Sequence, residues 1–225
     1  MWKILSLRIG AIEKFSTIDY PDKISCVIFL KGCNFFCGFC YNKQLVLPEL
    51  LDTKPDLSEK EIQDFLDARK GLIDAVVITG GEPTIFGDDL IKFIKQIKDR
   101  GYLIKLDSNG SNPEMLKKTI ENNLVDYIAM DLKDVFENYN KYTNVPTENI
   151  KLSFELIKDS NIPHEFRITT HPELSIESFN KIIDFSRGQK IFVQDFMNTN
   201  TIKEYKDYKT IYSQLLKDSK DYILR

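Results

Sequence analysis

Histidine is nearly absent from this chain, cysteine is scarce, and neither sign of charge prevails. Two histidines (His164, His171) and four cysteines (Cys26, Cys33, Cys37, Cys40) are all that its 225 residues hold. A structural zinc site takes four Cys or His ligands, usually as two close pairs. Only Cys37 and Cys40 have pair spacing here, and no second pair exists. The stretch Met1-Trp2-Lys3-Ile4-Leu5 is too short for a secretory signal. A cytoplasmic protein is therefore expected, and there clustered cysteines bind metal more often than they bridge. With 31 basic and 34 acidic residues, the net charge of −3 leaves no basic footprint for nucleic acid. No apolar run approaches the ~20 residues of a membrane span. Neither nucleic acid nor a membrane is an expected partner. Repeats and low-complexity tracts are also missing. A 42% hydrophobic content over this length supplies one sizeable core, so a single domain over 1–225 is expected.

What is present is concentrated. Three of the cysteines fall within Cys33-Asn34-Phe35-Phe36-Cys37-Gly38-Phe39-Cys40. An iron–sulfur cube takes four cysteines, one per iron. Three leave one iron open, and an open position is what makes a metal site reactive. The spacing favours such a cluster, with a zinc knuckle as the rival. Cys26 lies in an apolar run and reads as a small buried hydrophobe.

Short apolar runs alternate with helical patterns along the chain. Ile24–Leu30, Ala75–Thr79, Leu103–Leu106, Tyr127–Met130, Phe166–Thr169 and Lys190–Val193 read as buried strands. Ser58-Glu59-Lys60-Glu61 is a capping box before Ile62, Phe65 and Leu66, with Gly71 as the stop. Asp89 is expected to open a helix through Ile97, closed by Gly101. Pro113 suits the first turn of a third helix. Ile150, Phe154 and Ile157 share a face of a fourth. Ser175 caps a fifth, ended by Gly188, and Tyr208, Ile211 and Leu215 mark a last one. Pro48–Asp56, with two prolines, reads as a flexible loop. Strands alternating with helices predict a parallel sheet with right-handed crossovers. Six strands are fewer than the eight of a closed barrel, so a partly open barrel and an open doubly wound sheet both fit.

The unusual polar residues fall just after the predicted strands. The Cys triplet follows the first, Gly80-Gly81-Glu82-Pro83 the second, and Asp107-Ser108-Asn109-Gly110 the third. Asp131-Leu132-Lys133 follows the fourth, His171-Pro172 the fifth and Gln194-Asp195 the sixth. In βα barrels such loops converge on one mouth. Gly80 and Gly81 would let the backbone approach a ligand closely, and Glu82 could accept from an ammonium group. The alternative is a plain strand-to-helix turn begun by Pro83. Asp107 and Asn109 could bond ribose hydroxyls or organise their own loop. Asp131 and Lys133 could meet a ligand carboxylate or each other. Arg167 suits a carboxylate if its strand turns it inward. His171 reads as a loop histidine held by its neighbours, with a ligand or proton donor as the alternative.

The Cys segment, with Phe39 before its last cysteine, resembles the signature of the radical S-adenosylmethionine enzymes. The similarity extends through Ile9–Pro21, Val77–Thr84, Lys105–Ser111 and Asp126–Lys133, and weakens after Phe196. Over these segments the chain resembles the glycyl-radical-enzyme activases, and among them the activators of anaerobic ribonucleoside-triphosphate reductase. The resemblance implies a partial (β/α)6 barrel, one 4Fe–4S cluster and S-adenosylmethionine as cosubstrate. It implies that Cys33, Cys37 and Cys40 ligate the cluster and that Gly80, Gly81, Glu82 and Pro83 bind the methionyl amine. Phe39, Asp107, Asn109, Asp131, Lys133 and Arg167 would surround the cofactor. The implied partners are a glycyl-radical enzyme, anaerobic ribonucleotide reductase first, and flavodoxin or ferredoxin as electron donor. Three positions depart from the pattern. Tyr41 stands where His is usual and His171 where an apolar residue is usual, and the Gln194–Met197 segment differs.

Overall fold

The structure is a computed structural model and describes residues 6–198, 201–205 and 222–224. One sheet runs through it in the order β1-β2-β3-β4-β5-β6-β7-β8. These strands are Ile9–Ser16, Ser25–Leu30, Ala75–Gly80, Leu103–Ser108, Tyr127–Asp131, His164–Thr169, Ile191–Gln194 and Ile223–Leu224. Strand β1 is antiparallel to β2, and every later pair is parallel. The six expected strands are β2 to β7. Strands β1 and β8 add two at the ends without closing the sheet, which is the partial barrel expected. Sequence alternation missed β1 because Glu13 and Lys14 interrupt its apolar pattern, and β8 because only two residues pair.

Helices α1 (Lys43–Val46) and α2 (Pro48–Leu51) are single turns. Helices α3 (Glu59–Ala68), α4 (Asp88–Lys98), α5 (Pro113–Glu121), α6 (Thr147–Lys158) and α7 (Ile176–Phe185) connect the strands. The capping box of α3 forms as expected, with Ser58 and Glu61 each satisfying the other's backbone N–H. Asn112 and Ser175 cap α5 and α7 through their side chains. Helix α4 opens at Gly87, so Asp89 lies inside its first turn beside Asp88, where both carboxylates favour the helix N-terminus. The expected helix bearing Tyr208, Ile211 and Leu215 lies outside the described residues.

Residues alternate faces along a strand, and the two faces differ in chemistry. On the outer face Ile28, Ile78, Leu106, Ile128 and Phe166 pack with helix residues such as Leu66, Ile94, Leu116, Ile157 and Ile182. Each such buried side chain contributes about 1.5–3 kcal/mol of transfer free energy. Cys26 lies on this face, fully buried, with its thiol pushed up to about 12 by desolvation. It is a core residue, as expected. On the inner face Val27, Ala75, Val77 and Tyr127 form a smaller cluster with Tyr20. Above that cluster the inner positions become polar.

The Pro48–Asp56 stretch is held firmly. The Lys31 ammonium is buried beneath it and donates to the carbonyls of Leu51 at 2.7 Å and Lys54 at 2.6 Å. It also pairs with Asp56 at 2.6 Å, and Arg8 joins the same carboxylate at 2.7 Å. Lys31 and Arg8 both converge on this loop, and Lys31 lies two residues before the Cys segment. This pins the root of that segment to the rest of the sheet.

Candidate active site

The C-terminal ends of β2 to β7 open into one cavity of about 240 Å³. Every sequence-predicted site residue lines it except Pro83, which starts a single 3-10 turn, Pro83–Phe86. Cys33, Cys37, Cys40 and Phe39 come from the segment after β2, and Gly80, Gly81 and Glu82 from the end of β3. Asp107 and Asn109 come from β4, Asp131 and Lys133 from β5, and Arg167 from β6. Gln194 lines it too, as its place after the sixth strand led one to expect, and Thr79 and Thr169 line it without having been singled out. Their signal was strand alternation, since Thr79 follows inner Val77 by two and Thr169 follows Arg167 by two.

A carboxylate ladder crosses the inner face. Arg167 points inward and serves two acids at once. Its Nε donates to Asp131 at 2.7 Å and its Nη1 to Asp107 at 2.9 Å. Lys133 completes the set by donating to the other oxygen of Asp131 at 2.8 Å. Burial opposes the charge of Asp131, yet Arg167 and Lys133 overcome it and hold the carboxyl well below its usual range. One atom is left over. Asp107 Oδ1 is buried without a hydrogen-bond partner among the described residues and faces the Lys105 ammonium at 3.8 Å. Deeper still, Lys105 pairs with Glu165 at 3.2 Å, both fully buried, and Tyr127 donates to Glu165 at 2.9 Å.

Glu82 ties two loops together. Its Oε1 accepts from the Thr84 N–H at 3.1 Å, the Thr84 hydroxyl at 2.6 Å and the Ser108 hydroxyl at 2.9 Å. Among the described residues its Oε2 accepts only the Asn109 N–H, at 2.6 Å. Burial pushes its pKa up while these donors pull against that. A carboxylate oxygen has two lone-pair directions, so Oε2 keeps capacity for one more donor from the cavity. Asn109 turns its side chain to the Cys segment, donating to Asn34 Oδ1 at 3.0 Å and lying 3.9 Å from Cys33 Sγ. Its Oδ1 accepts the Ser111 N–H at 2.9 Å within its own loop.

Gly81 is bare for a backbone reason. A Cβ there would collide with the carbonyl of Gly32, next to Cys33. Gly80, at φ +122, would meet the backbone of Leu30 in the same way. The expected close approach is therefore made first by the Cys segment itself.

The three thiols suit a cluster. Burial pushes Cys33 and Cys37 up to about 12 and also raises Cys40, so each would release a proton on binding metal. Among the described residues no group of three His, Cys, Asp or Glu is placed to hold a single metal ion. A cube takes one thiolate per iron, so its ligands surround a volume instead of meeting at a point. The cavity lining offers three thiols and no imidazole, which is the donor set such a cube uses.

Three residues flagged as departures have structural partners. Tyr41 accepts the Met197 N–H at 2.7 Å and stacks on Phe196. Asp195 accepts from Thr170 at 3.2 Å. His171 is buried behind the cavity wall.

An open parallel sheet with its chemistry gathered at the strand ends places the chain among the partial βα barrels. The radical SAM superfamily model matches residues 27–186, and the chain belongs to that superfamily. It is 35% identical over 175 residues to a putative glycyl-radical enzyme activating enzyme of Methanocaldococcus jannaschii, covering 75% of this chain and 70% of that one. It is 29% identical to the pyruvate formate-lyase-activating enzyme of Listeria monocytogenes, over 63% of this chain and 58% of that one. In fold it is similar to Streptococcus suis SuiB, with a TM-score of 0.63 at 14% identity, covering 87% of this chain and 47% of that one. It is also similar to anSMEcpe with bound AdoMet, with a TM-score of 0.58 at 14% identity, covering 80% of this chain and 53% of that one. Membership makes this a radical SAM enzyme, with a 4Fe–4S cluster and S-adenosylmethionine as cofactors. No described helix is long and apolar enough to cross a membrane.

Proposed function

We propose that this chain activates a glycyl-radical enzyme, most specifically an anaerobic ribonucleoside-triphosphate reductase. The observation that carries the reading is the gathering of three thiols, two loop glycines and a compensated charge ladder around one cavity. The relatives named as activating enzymes support it. Cys33, Cys37 and Cys40 would hold three irons of the cluster and leave the fourth open to S-adenosylmethionine. When bound, the reduced cluster and S-adenosylmethionine supply an electron source and a carbon-centred radical that removes a hydrogen atom from a C–H bond.

The chain's own residues bind and orient. Glu82 Oε2 has the free lone pair to accept from the methionyl ammonium, beside the exposed backbone of Gly80 and Gly81. Pro83 fixes the turn that follows them. Arg167 and Lys133 bring positive charge to the wall where a carboxylate would lie. Asp131 holds both in place, and together with Asp107 it balances their two positive charges when the ligand is absent. Asp107 Oδ1, buried and unbonded, is the acceptor left for a hydroxyl group. Phe39 supplies an apolar face for the flat base. Flavodoxin or ferredoxin is the proposed electron donor.

The test mixes reduced protein, S-adenosylmethionine and the candidate reductase without oxygen, then records electron paramagnetic resonance. A doublet that changes when glycine is deuterated is the expected result. If 5′-deoxyadenosine forms but no glycyl radical appears on any reductase or lyase offered, a small-molecule or peptide substrate replaces this reading. If no 5′-deoxyadenosine forms at all, a non-catalytic metal or electron-transfer module replaces it.

A further inference from the structure

Behind Phe39 stands a side chain that the proposed chemistry leaves unused. His171 is 1% exposed and does not line the cavity. Its ring lies flat on Phe39, with centroids 3.8 Å apart and planes 8° from parallel. Tyr142 meets both rings edge-on, at 5.6 Å and 84° on His171 and at 5.7 Å and 76° on Phe39. Nε2 lies 2.7 Å from the Lys133 carbonyl, an acceptor, so it must carry the proton. Among the described residues Nδ1 is buried with no hydrogen-bond partner.

That arrangement is costly. An unsatisfied buried acceptor is destabilising because it gives up its bond to water, and a leucine or phenylalanine at 171 would avoid it. The imidazole brings two things that no apolar residue combines. It is flat enough to stack on Phe39, and its one N–H locks the plane of the ring to the backbone of Lys133. Those two contacts join the Cys segment to the loop after β5, since Phe39 precedes Cys40 and Lys133 holds Asp131, and both line the cavity. Phe39 has one face against His171 and an edge of contact with Tyr142. Its remaining surface is what lines the cavity.

We propose that His171 is a positioning residue, a backing plate that sets the plane of Phe39 and its spacing from the Lys133 loop. Through Phe39 it sets how the flat base of S-adenosylmethionine is received. This rests on the cofactor reading above. Burial holds the imidazole down to about 4, so the plate is neutral across the working range. The charged groups facing it are Lys133, Asp134 and Glu173, and desolvation outweighs them.

The test uses anaerobically reconstituted full-length protein and three variants, His171→Leu, His171→Gln and His171→Phe. Three quantities are read: iron content, S-adenosylmethionine affinity by equilibrium dialysis, and the shift in the reduced-cluster resonance spectrum on adding S-adenosylmethionine. His171→Leu and His171→Gln lack the flat plate. They are expected to keep wild-type iron, bind about tenfold more weakly and show an altered shift. His171→Phe keeps the plate, and a loss of threefold or less is expected. The inference is overturned if His171→Leu binds within twofold of wild type, or His171→Gln does so should the leucine variant not fold. A loss in His171→Phe as large as in His171→Gln overturns it too. Iron-loaded wild type that binds no S-adenosylmethionine overturns the cofactor reading and this inference with it. Equal binding across all variants overturns this inference alone.

Discussion

Arg167 shows how much one residue at this mouth must do. Its planar fork reaches Asp107 and Asp131 together, which the single ammonium of a lysine cannot do. The residue identities here were legible in the sequence, but their partners were not. Arg167 was expected to suit a carboxylate if its strand turned it inward, and the fold supplies two, Asp107 and Asp131, the latter set directly opposite it by the pairing of β5 and β6. Asn109 likewise spends its side chain on Asn34. The His171 ring gives a pH dependence whose sign follows from its burial. Its folded value, about 4, lies below the usual 6.5. Between those values the unfolded chain takes up a proton that the folded one refuses, so stability falls with falling pH. The contribution is complete above pH 6.5 and is lost as pH drops toward 4. From pH 7 to pH 5 that amounts to about 2 kcal/mol. Urea unfolding of cluster-free wild type is expected to lose that much more than His171→Phe over the same interval. Parallel pH curves would show that His171 titrates normally.

At the scale of elements, strand period and caps carried most of the information. β2 to β7 lie where apolar runs predicted them, because a strand covered on both faces reads as a continuous run. Helices α3, α5 and α7 start where Ser58, Asn112 and Ser175 can cap them. Strand β1 was hidden because an edge strand needs no buried alternation, and its pairing with β2 slips twice. The Gly80-Gly81 pair was read as a site for close approach by a ligand. Its closest protein neighbours are the backbones of Leu30 and Gly32, a long-range contact that no local pattern encodes. This changes what a substitution should do. Gly81→Val would drive a branched side chain into the Gly32 carbonyl and displace the start of the Cys segment. Reconstituted Gly81→Val is expected to hold less than half the wild-type iron, as well as binding S-adenosylmethionine poorly. Full iron with weakened binding would mean that the glycine serves the ligand alone.

Across the whole molecule, the Cys segment is clamped from several distant parts of the chain. Lys31 pins its root through Asp56, Asn109 holds Asn34, and Thr143 donates to the Asn34 carbonyl at 3.0 Å. The last clamp comes from residues 201–205, where the resemblance had faded and no local pattern marked a role. The Lys203 N–H donates to the Gly38 carbonyl at 2.8 Å. The Lys203 ammonium and the Tyr205 hydroxyl both donate to Glu173 Oε1, each at 2.9 Å, and Tyr205 packs edge-on against Phe196. Gly38 makes the fit possible, since a Cβ there would lie 2.6 Å from Lys203 Cδ and 2.8 Å from the Tyr205 hydroxyl. This strap covers the loop between Cys37 and Cys40, so it should govern how readily small molecules reach the cluster. Gly38→Val is expected to take up iron but to bleach several-fold faster in air or chelator, with an unchanged far-ultraviolet spectrum. Tyr205→Phe leaves Gly38 alone and removes only the bond to Glu173. It should shift the bleaching rate in the same direction by a smaller factor. Wild-type bleaching in both variants would show that the strap is packing without a protective role. Faster bleaching in Gly38→Val alone would assign the effect to strain beside Cys37. Only a graded response across the two variants supports the clamp.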